Sequence, residues 1–229
     1  MALPEQLADV VRRPGGEAPL RCLALIHGAS CIGRFDAVVI LLPLARSLGV
    51  DAPRLHETAL QVVAYGGYPR AIEALTLLAA ARADQPGPSP ARGQARARDP
   101  EPEAAGAAPA ERGRLVWDAI YRGSAQDVLA TLEGLAPGFS EWILRDAYGR
   151  ILARPGLPLV ERELLAVAAL SLMGLAAPLG SHVRGALRTG ASPAQVTDIL
   201  QTCRVLADRP ALAVLQQALD RLDRGVYRA

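Results

Sequence analysis

The stretch RELLAVAALSLMGLAAPLGSHVRGALRTG, residues 162–190, decides the fold. Residues 21–49, RCLALIHGASCIGRFDAVVILLPLARSLG, repeat its layout without a gap. Arg21 falls on Arg162, Leu23 on Leu164, Gly33 on Gly174, Ala45 on Ala186 and Gly49 on Gly190, and further along at the same offset Pro69 falls on Pro210. Chance rarely aligns so many glycines and prolines. The polar positions disagree in the same alignment: Glu163 faces Cys22, His182 faces Leu41, and Tyr65, Gly67 and Tyr68 face Leu206, Asp208 and Arg209. One copy keeps a Glu/His pair and the other a Tyr/Gly turn. An internal duplication changes the question from what one domain is to how two unequal copies share one job.

Working outward, aliphatic residues recur at spacings of three and four over Arg21–Cys31, Phe35–Leu48, Arg54–Tyr65 and Pro69–Ala81, punctuated by Gly33, Gly49, Pro53 and a Gly-Gly-Tyr-Pro turn. Four short helices follow, and Leu159–Met173, Leu179–Arg188, Ser192–Leu206 and Pro210–Arg224 repeat them. Ser192 is the expected N-cap of one, with Pro193 first in the helix and Gln195 closing a capping box. Residues 83–113 are rich in Pro, Gly, Ala and charge without a large apolar residue, the composition of a flexible linker. From Arg114 to Leu157, apolar spacing at Val116, Ile120, Val128 and Leu132, then at Phe139, Trp142, Ile143, Tyr148 and Ile151, adds helices to the second copy. With no β-type alternation of useful length, the chain reads as all-α. The expected division is a degenerate N-terminal repeat at 1–82, a linker at 83–113 and a C-terminal domain at 114–229.

The 229 residues are 51% apolar, enough for a core in each copy. All 25 basic residues are Arg, which reads as genome composition, and they are scattered; a net charge of +2 gives no footprint for nucleic acid. Cys22, Cys31 and Cys203 make neither a CxxC nor a metal spacing, which suits small buried hydrophobes in a reducing cytoplasm. Residues 1–16 mix Glu5, Asp9, Arg12 and Arg13 into their apolar positions and do not read as a secretory leader. The uncharged run 164–180 borders on membrane-spanning length, but Gly174 and Pro178 break it, so a buried helix and a turn are expected and no membrane.

Tyr148-Gly149, Arg154-Pro155-Gly156-Leu157, Arg162-Glu163-Leu164 and His182-Val183-Arg184-Gly185-Ala186-Leu187 together resemble the carboxymuconolactone decarboxylase family, within the wider group sharing the AhpD-like fold. Residues 56–75, HETALQVVAYGGYPRAIEAL, resemble the closing helix pair of the same family. The resemblance implies a helical domain that dimerises and forms homo-oligomeric rings, and in one branch a cofactor-free decarboxylation of γ-carboxymuconolactone. A fused tandem is then implied to be a pseudo-dimer, with a trimer of pseudo-dimers as its assembly. A second branch reduces hydroperoxides through a CxxC seven and four residues before the histidine. Leu175 and Pro178 stand there, and Arg34 and Ala37 in the first copy, so the resolving thiols of a peroxidase cycle are missing.

Loss of CO2 from an unsaturated lactone leaves an anion delocalised into a carbonyl, which calls for charge placement and a proton donor and for neither a metal nor an organic cofactor. Glu163 and His182 are the candidates for proton transfer, since imidazole titrates near neutral pH and a partly buried carboxylate beside it orients the ring. Arg154, Arg162 and Arg184 are the candidates for anchoring substrate carboxylates, with Tyr148 as hydrogen-bond donor. The charged candidates have plainer alternatives: Glu163 favours a helix N-terminus, His182 begins the next helix as a capped or partly exposed residue, Arg162 and Arg184 are solvated helix-face charges and Arg154 fixes a turn. Tyr65 and Tyr68 end one helix and start the next, or reach a site across the pseudo-dimer; His27 and His56 are structural or exposed. The leading expectation is a lyase for a small carboxylated lactone. The alternatives are an enzyme tailoring polycyclic aromatic or polyketide intermediates, which a wider apolar pocket would favour, and a non-catalytic binding or assembly protein.

Overall fold

The computed structural model describes residues 1–83 and 108–227. Every regular element among them is helical, with no strand. Helices α1 (Leu3–Arg12), α2 (Ala18–Ile32), α3 (Phe35–Ser47) and α4 (Ala52–Ala83) come first. Helix α4 is two helices joined at Gly67, whose φ of 80° and ψ of 172° interrupt it in the Gly-Gly-Tyr-Pro turn. After α5 (Pro109–Tyr121), a 3-10 turn at Arg122–Ser124, α6 (Ala125–Leu135) and the short α7 (Phe139–Trp142), the chain winds into a π-helical segment, Ile143–Leu152. Helices α8 (Leu159–Leu172), α9 (Ala176–Thr189), α10 (Pro193–Cys203) and α11 (Arg209–Asp223) complete it.

The helix boundaries follow the offset read from the sequence. That constant offset carries α2 onto α8, α3 onto α9 and the two halves of α4 onto α10 and α11, to within a few residues at each end. Both α2–α3 and α8–α9 connections turn on a left-handed glycine, Gly33 with φ 76° and Gly174 with φ 70°, where a side chain would be strained. The uncharged run 164–180 is the buried helix and turn expected of it, and no described helix is long and apolar enough to cross a membrane. The Ser192 capping box forms as expected, the Ser192 hydroxyl accepting from the Gln195 backbone. Helix α9 starts at Ala176, earlier than expected, because Pro178 sits in its first turn, where a missing N–H costs nothing.

Central helices α2 and α8 are buried on all sides, from Leu20 to Cys31 and from Arg162 to Leu172. They cross where Gly28 abuts Leu172 and Ala168; a Cβ on Gly28 would stand 2.6 Å from the Leu172 side chain. Apolar residues of the two stretches form one cluster, in which Leu23, Leu25 and Leu41 join Leu164, Leu165, Val183 and Ile199. The expectation of a core in each copy therefore gives way to a shared core.

Reciprocal ion pairs fasten the two stretches. Fully buried Arg21 on α2 donates to both oxygens of Asp198 on α10, at 2.7 and 2.8 Å. Fully buried Arg162 on α8 donates to Glu57 on α4 at 2.8 Å. Arg13 reinforces the first carboxylate and Arg154 the second, the latter through bonds of 3.0–3.1 Å to both oxygens. Even the backbone acceptors correspond, since Arg21 donates to the Arg13 carbonyl and Arg162 to the Arg154 carbonyl. Arg13 with Arg154, Arg21 with Arg162, and Glu57 with Asp198 all stand at the offset of the repeat. Removing one partner of such a buried pair strands a charge and costs about 3–5 kcal/mol.

Helices α5 to α7 and the π-helical segment form a small second cluster around Trp117, Ile120, Leu129, Tyr148 and Leu152. Helix α5 lies against the π-helical segment with backbones touching: a Cβ on Gly113 would meet the Leu144 carbonyl at 1.9 Å, and one on Gly149 the Pro109 carbonyl at 1.8 Å. The expected linker 83–113 lies largely outside the described residues, but its end, Pro109–Gly113, is the first turn of α5. Glycine contact, which hydropathy does not register, docks it there.

Candidate functional site

Glu163 lies one turn into α8 and has no exposed surface. Helix α9 crosses over it and brings His182 Nδ1 within 3.0 Å of Glu163 Oε2. This contact suits a ring proton on Nδ1 with the carboxylate oxygen as acceptor, the tautomer that leaves Nε2 for other partners. Gly185, one turn after His182, makes room for the pair: a Cβ there would stand 2.1 Å from Glu163 Oε2 and 2.9 Å from Ile120 Cγ2. The second carboxylate oxygen, Oε1, is buried without a hydrogen-bond partner. His182 does not begin its helix, as expected from the sequence, but sits in its second turn with 8% of its surface exposed.

Tyr65 reaches this pair from α4, so the first copy contributes to the site. Its ring meets the His182 ring edge-on, with centroids 5.6 Å apart, and on its other side meets His27 at the same separation. Burial, reinforced by the Glu163 charge, holds the Tyr65 phenol well above its ordinary range, so it stays protonated. His27 is structural: fully buried, it donates from Nδ1 to the Thr58 carbonyl at 3.2 Å, and burial lowers it to about 4. Tyr68, by contrast, is exposed, as is His56.

His182 opens on a cavity of about 470 Å³ between α4, α5, α6, the π-helical segment and α9. Trp117, Tyr121 and Tyr148 wall it with rings stacked or edge-on at 4.0 and 4.7 Å, and Val128, Leu132 and Phe139 close its apolar side. The Tyr148 and Tyr121 hydroxyls lie 3.2 Å apart. Burial raises both phenols, Tyr148 the further.

The structure thus brings Glu163, His182 and Tyr148 together and sends the arginines elsewhere. Arg154 and Arg162 are consumed by Glu57, with Gln61 accepting from Arg162 at 3.2 Å, and neither lines the cavity. Arg184 reaches only its edge, donating to the cavity-lining Ser181 at 3.4 Å. Tyr121 and Trp117 went unnoticed as site residues; their i, i+4 spacing was the available signal, submerged in the apolar spacing of α5. All three cysteines are buried and free, each thiol raised to about 12 by burial, far from the thiolate state. Among the described residues no group of three or more His, Cys, Asp or Glu is placed to hold a metal.

Fold and site define an all-α protein with a buried carboxylate–imidazole pair opening on an aromatic cavity. Residues 139–220 match the carboxymuconolactone decarboxylase family. The 4-carboxymuconolactone decarboxylase of Acinetobacter baylyi (strain ATCC 33305 / BD413 / ADP1) is 30% identical over 83 residues, 36% of this chain and 62% of that protein's length. Over this C-terminal stretch the chain is similar to the carboxymuconolactone decarboxylase family, and it spans less than two thirds of the relative's length. The stretch contains Tyr148, Glu163 and His182, whereas Tyr65, Trp117 and Tyr121 lie before it.

Proposed function

We propose that the chain is a cofactor-independent carboxy-lyase with one proton-transfer centre, His182 oriented by Glu163. The observation that carries this reading is the 3.0 Å bond from buried Glu163 to a histidine that opens on the cavity. The substrate carboxylate leaves as CO2, its carbon–carbon electron pair passing into a conjugated carbonyl. The imidazolium form of His182 gives its Nε2 proton to the carbon left behind, and solvent restores it. Glu163 orients the ring, and the apolar walls destabilise the departing carboxylate relative to the delocalised anion. The two stretches of chain serve in this reading as a pseudo-dimer, the first supplying Tyr65 to the pair kept by the second.

A small carboxylated lactone such as γ-carboxymuconolactone is one substrate, given the relative's name. The cavity lining favours the second reading, a larger aromatic or polyketide-type ring acid, because no arginine among the described residues lines it to hold a second carboxylate and much of the wall lies outside the family match. CO2 release by the full chain from γ-carboxymuconolactone generated in situ, set beside release from 2-hydroxy-1-naphthoic acid, separates the two. Turnover of the naphthoic acid alone selects the second reading. Failure of the well-folded chain with both rejects the substrate assignments and favours a binding role.

A further inference from the structure

The cavity contains a second polar feature that the proton-transfer chemistry leaves unused. We propose that Tyr121 and Tyr148 form a paired-phenol subsite that receives a negatively charged ligand oxygen, so that the cavity takes hydroxyaryl or enolisable conjugated carbonyl compounds. This deepens the substrate reading above and rests on the cavity being the ligand site, not on which bond breaks there.

Hydrogen-bond counting carries the inference. Two phenols bring two O–H donors, yet they share a single contact of 3.2 Å. Whichever hydroxyl donates across it, the proton of the other is left over, and no other described group accepts it. Both residues face the cavity, so the spare donor is available to a guest. The wall around them is apolar, built from Val128, Leu132, Ile143 and Leu152, and there a hydrogen bond to an anionic oxygen is strong because water competes little for it. Trp117 backs both rings and fixes their positions, with the Tyr121 ring stacked on the indole and the Tyr148 ring edge-on. Of the charges beyond the cavity wall, the Glu163 carboxylate acts on the Tyr121 hydroxyl more strongly than Arg184 and in the opposite sense, so the attraction for an anionic oxygen comes from the phenol donor itself. A mutual bond serving only to satisfy two buried phenols would leave the guest's charge irrelevant, and this difference is measurable.

The test is binding of 4-nitrophenolate to the full chain, followed by its absorption at a pH where the free probe is ionised. 4-Nitroanisole, which has the same ring and no ionisable oxygen, serves as the comparison. Tyr121→Phe and Tyr148→Phe keep the packing on Trp117 and remove one hydroxyl each. The expected result is phenolate binding by the natural chain, weakened about tenfold in each variant, while nitroanisole binding is unchanged. Absence of phenolate binding by the natural chain, or equal binding by the variants, overturns the subsite. Loss of CO2 release in His182→Ala with phenolate binding indifferent to both phenols leaves the reaction standing and removes the subsite. Phenol-dependent binding by a chain that releases CO2 from neither acid does the reverse.

Discussion

Two places in this molecule, set at one constant sequence offset, have opposite characters. At Glu163, His182 and Tyr65 a carboxylate, an imidazole and a phenol ring meet beside a cavity. At the positions that the repeat pairs with these stand Cys22, Leu41 and Leu206, all buried in the shared apolar core, where the Cys22 thiol donates to the Leu41 carbonyl at 3.6 Å. The ion pairs that frame the two places are alike, Arg162 with Glu57 and Arg21 with Asp198. Scaffold and centre therefore obey different constraints. An arginine clasping a carboxylate across the halves is needed twice because it holds both halves together. A buried carboxylate facing a histidine often stabilises no more than apolar filling of the same space, which fits the proton-transfer role proposed for this pair.

The largest expected effect separates the two places most sharply. His182→Ala should lower turnover per folded molecule by about 10²–10⁴-fold, the scale of general acid–base catalysis, and should also lower the melting temperature, because it strands the buried Glu163 carboxylate. Leu41→Ala, its counterpart, should cost about 2–5 kcal/mol in denaturant unfolding and leave the rate per folded molecule intact. Next in size come the clasps: Arg162→Met and Arg21→Met should each cost about 3–5 kcal/mol by chemical denaturation. Arg162→Met should cost more, since Glu57 is 8% exposed against 20% for Asp198.

His27 supplies a pH test of the core beneath Tyr65. Burial lowers its pKa from 6.5 to about 4, so in that interval the unfolded chain binds more protons than the folded one. Its contribution is complete above about pH 6.5 and falls by up to about 3 kcal/mol as pH drops toward 4. His27→Gln should flatten that part of the stability curve. Asp198 adds to the loss at lower pH: burial raises its carboxyl, but the Arg21 and Arg13 hydrogen bonds outweigh this and hold it below the usual range. Its contribution is complete above the ordinary carboxylate range and is lost progressively as pH falls through that range toward its lowered pKa. The smallest effect is expected from Gly185→Ala, which crowds Glu163 Oε2; about 1–3 kcal/mol in stability, with a loss of turnover that Gly190→Ala does not share.

Much of this was legible in the chain. Aliphatic residues at spacings of three and four, punctuated by glycines and prolines, predicted four short helices, and the recurrence of that layout at a fixed offset predicted four more. The Glu163/His182 pair was legible too, through its family resemblance. The arginines misled, since Arg154 and Arg162 find their carboxylate far along the chain on α4, and nothing local distinguishes a clasped guanidinium from a substrate anchor. Helix α5 was half concealed because Gly113 and Gly149 dock it by having no side chain. With its start went the aromatic wall and the pairing of Tyr121 with Tyr148.

The central claim is that one of the two places is chemically active. It is tested most directly by CO2 release from whichever of the two acids the natural chain decarboxylates, comparing that chain with His182→Ala and Leu41→Ala at equal concentrations of folded protein. A single centre at His182 predicts a rate kept by Leu41→Ala and lost by His182→Ala. An undiminished rate in His182→Ala, or no CO2 from either acid with the well-folded natural chain, would contradict it.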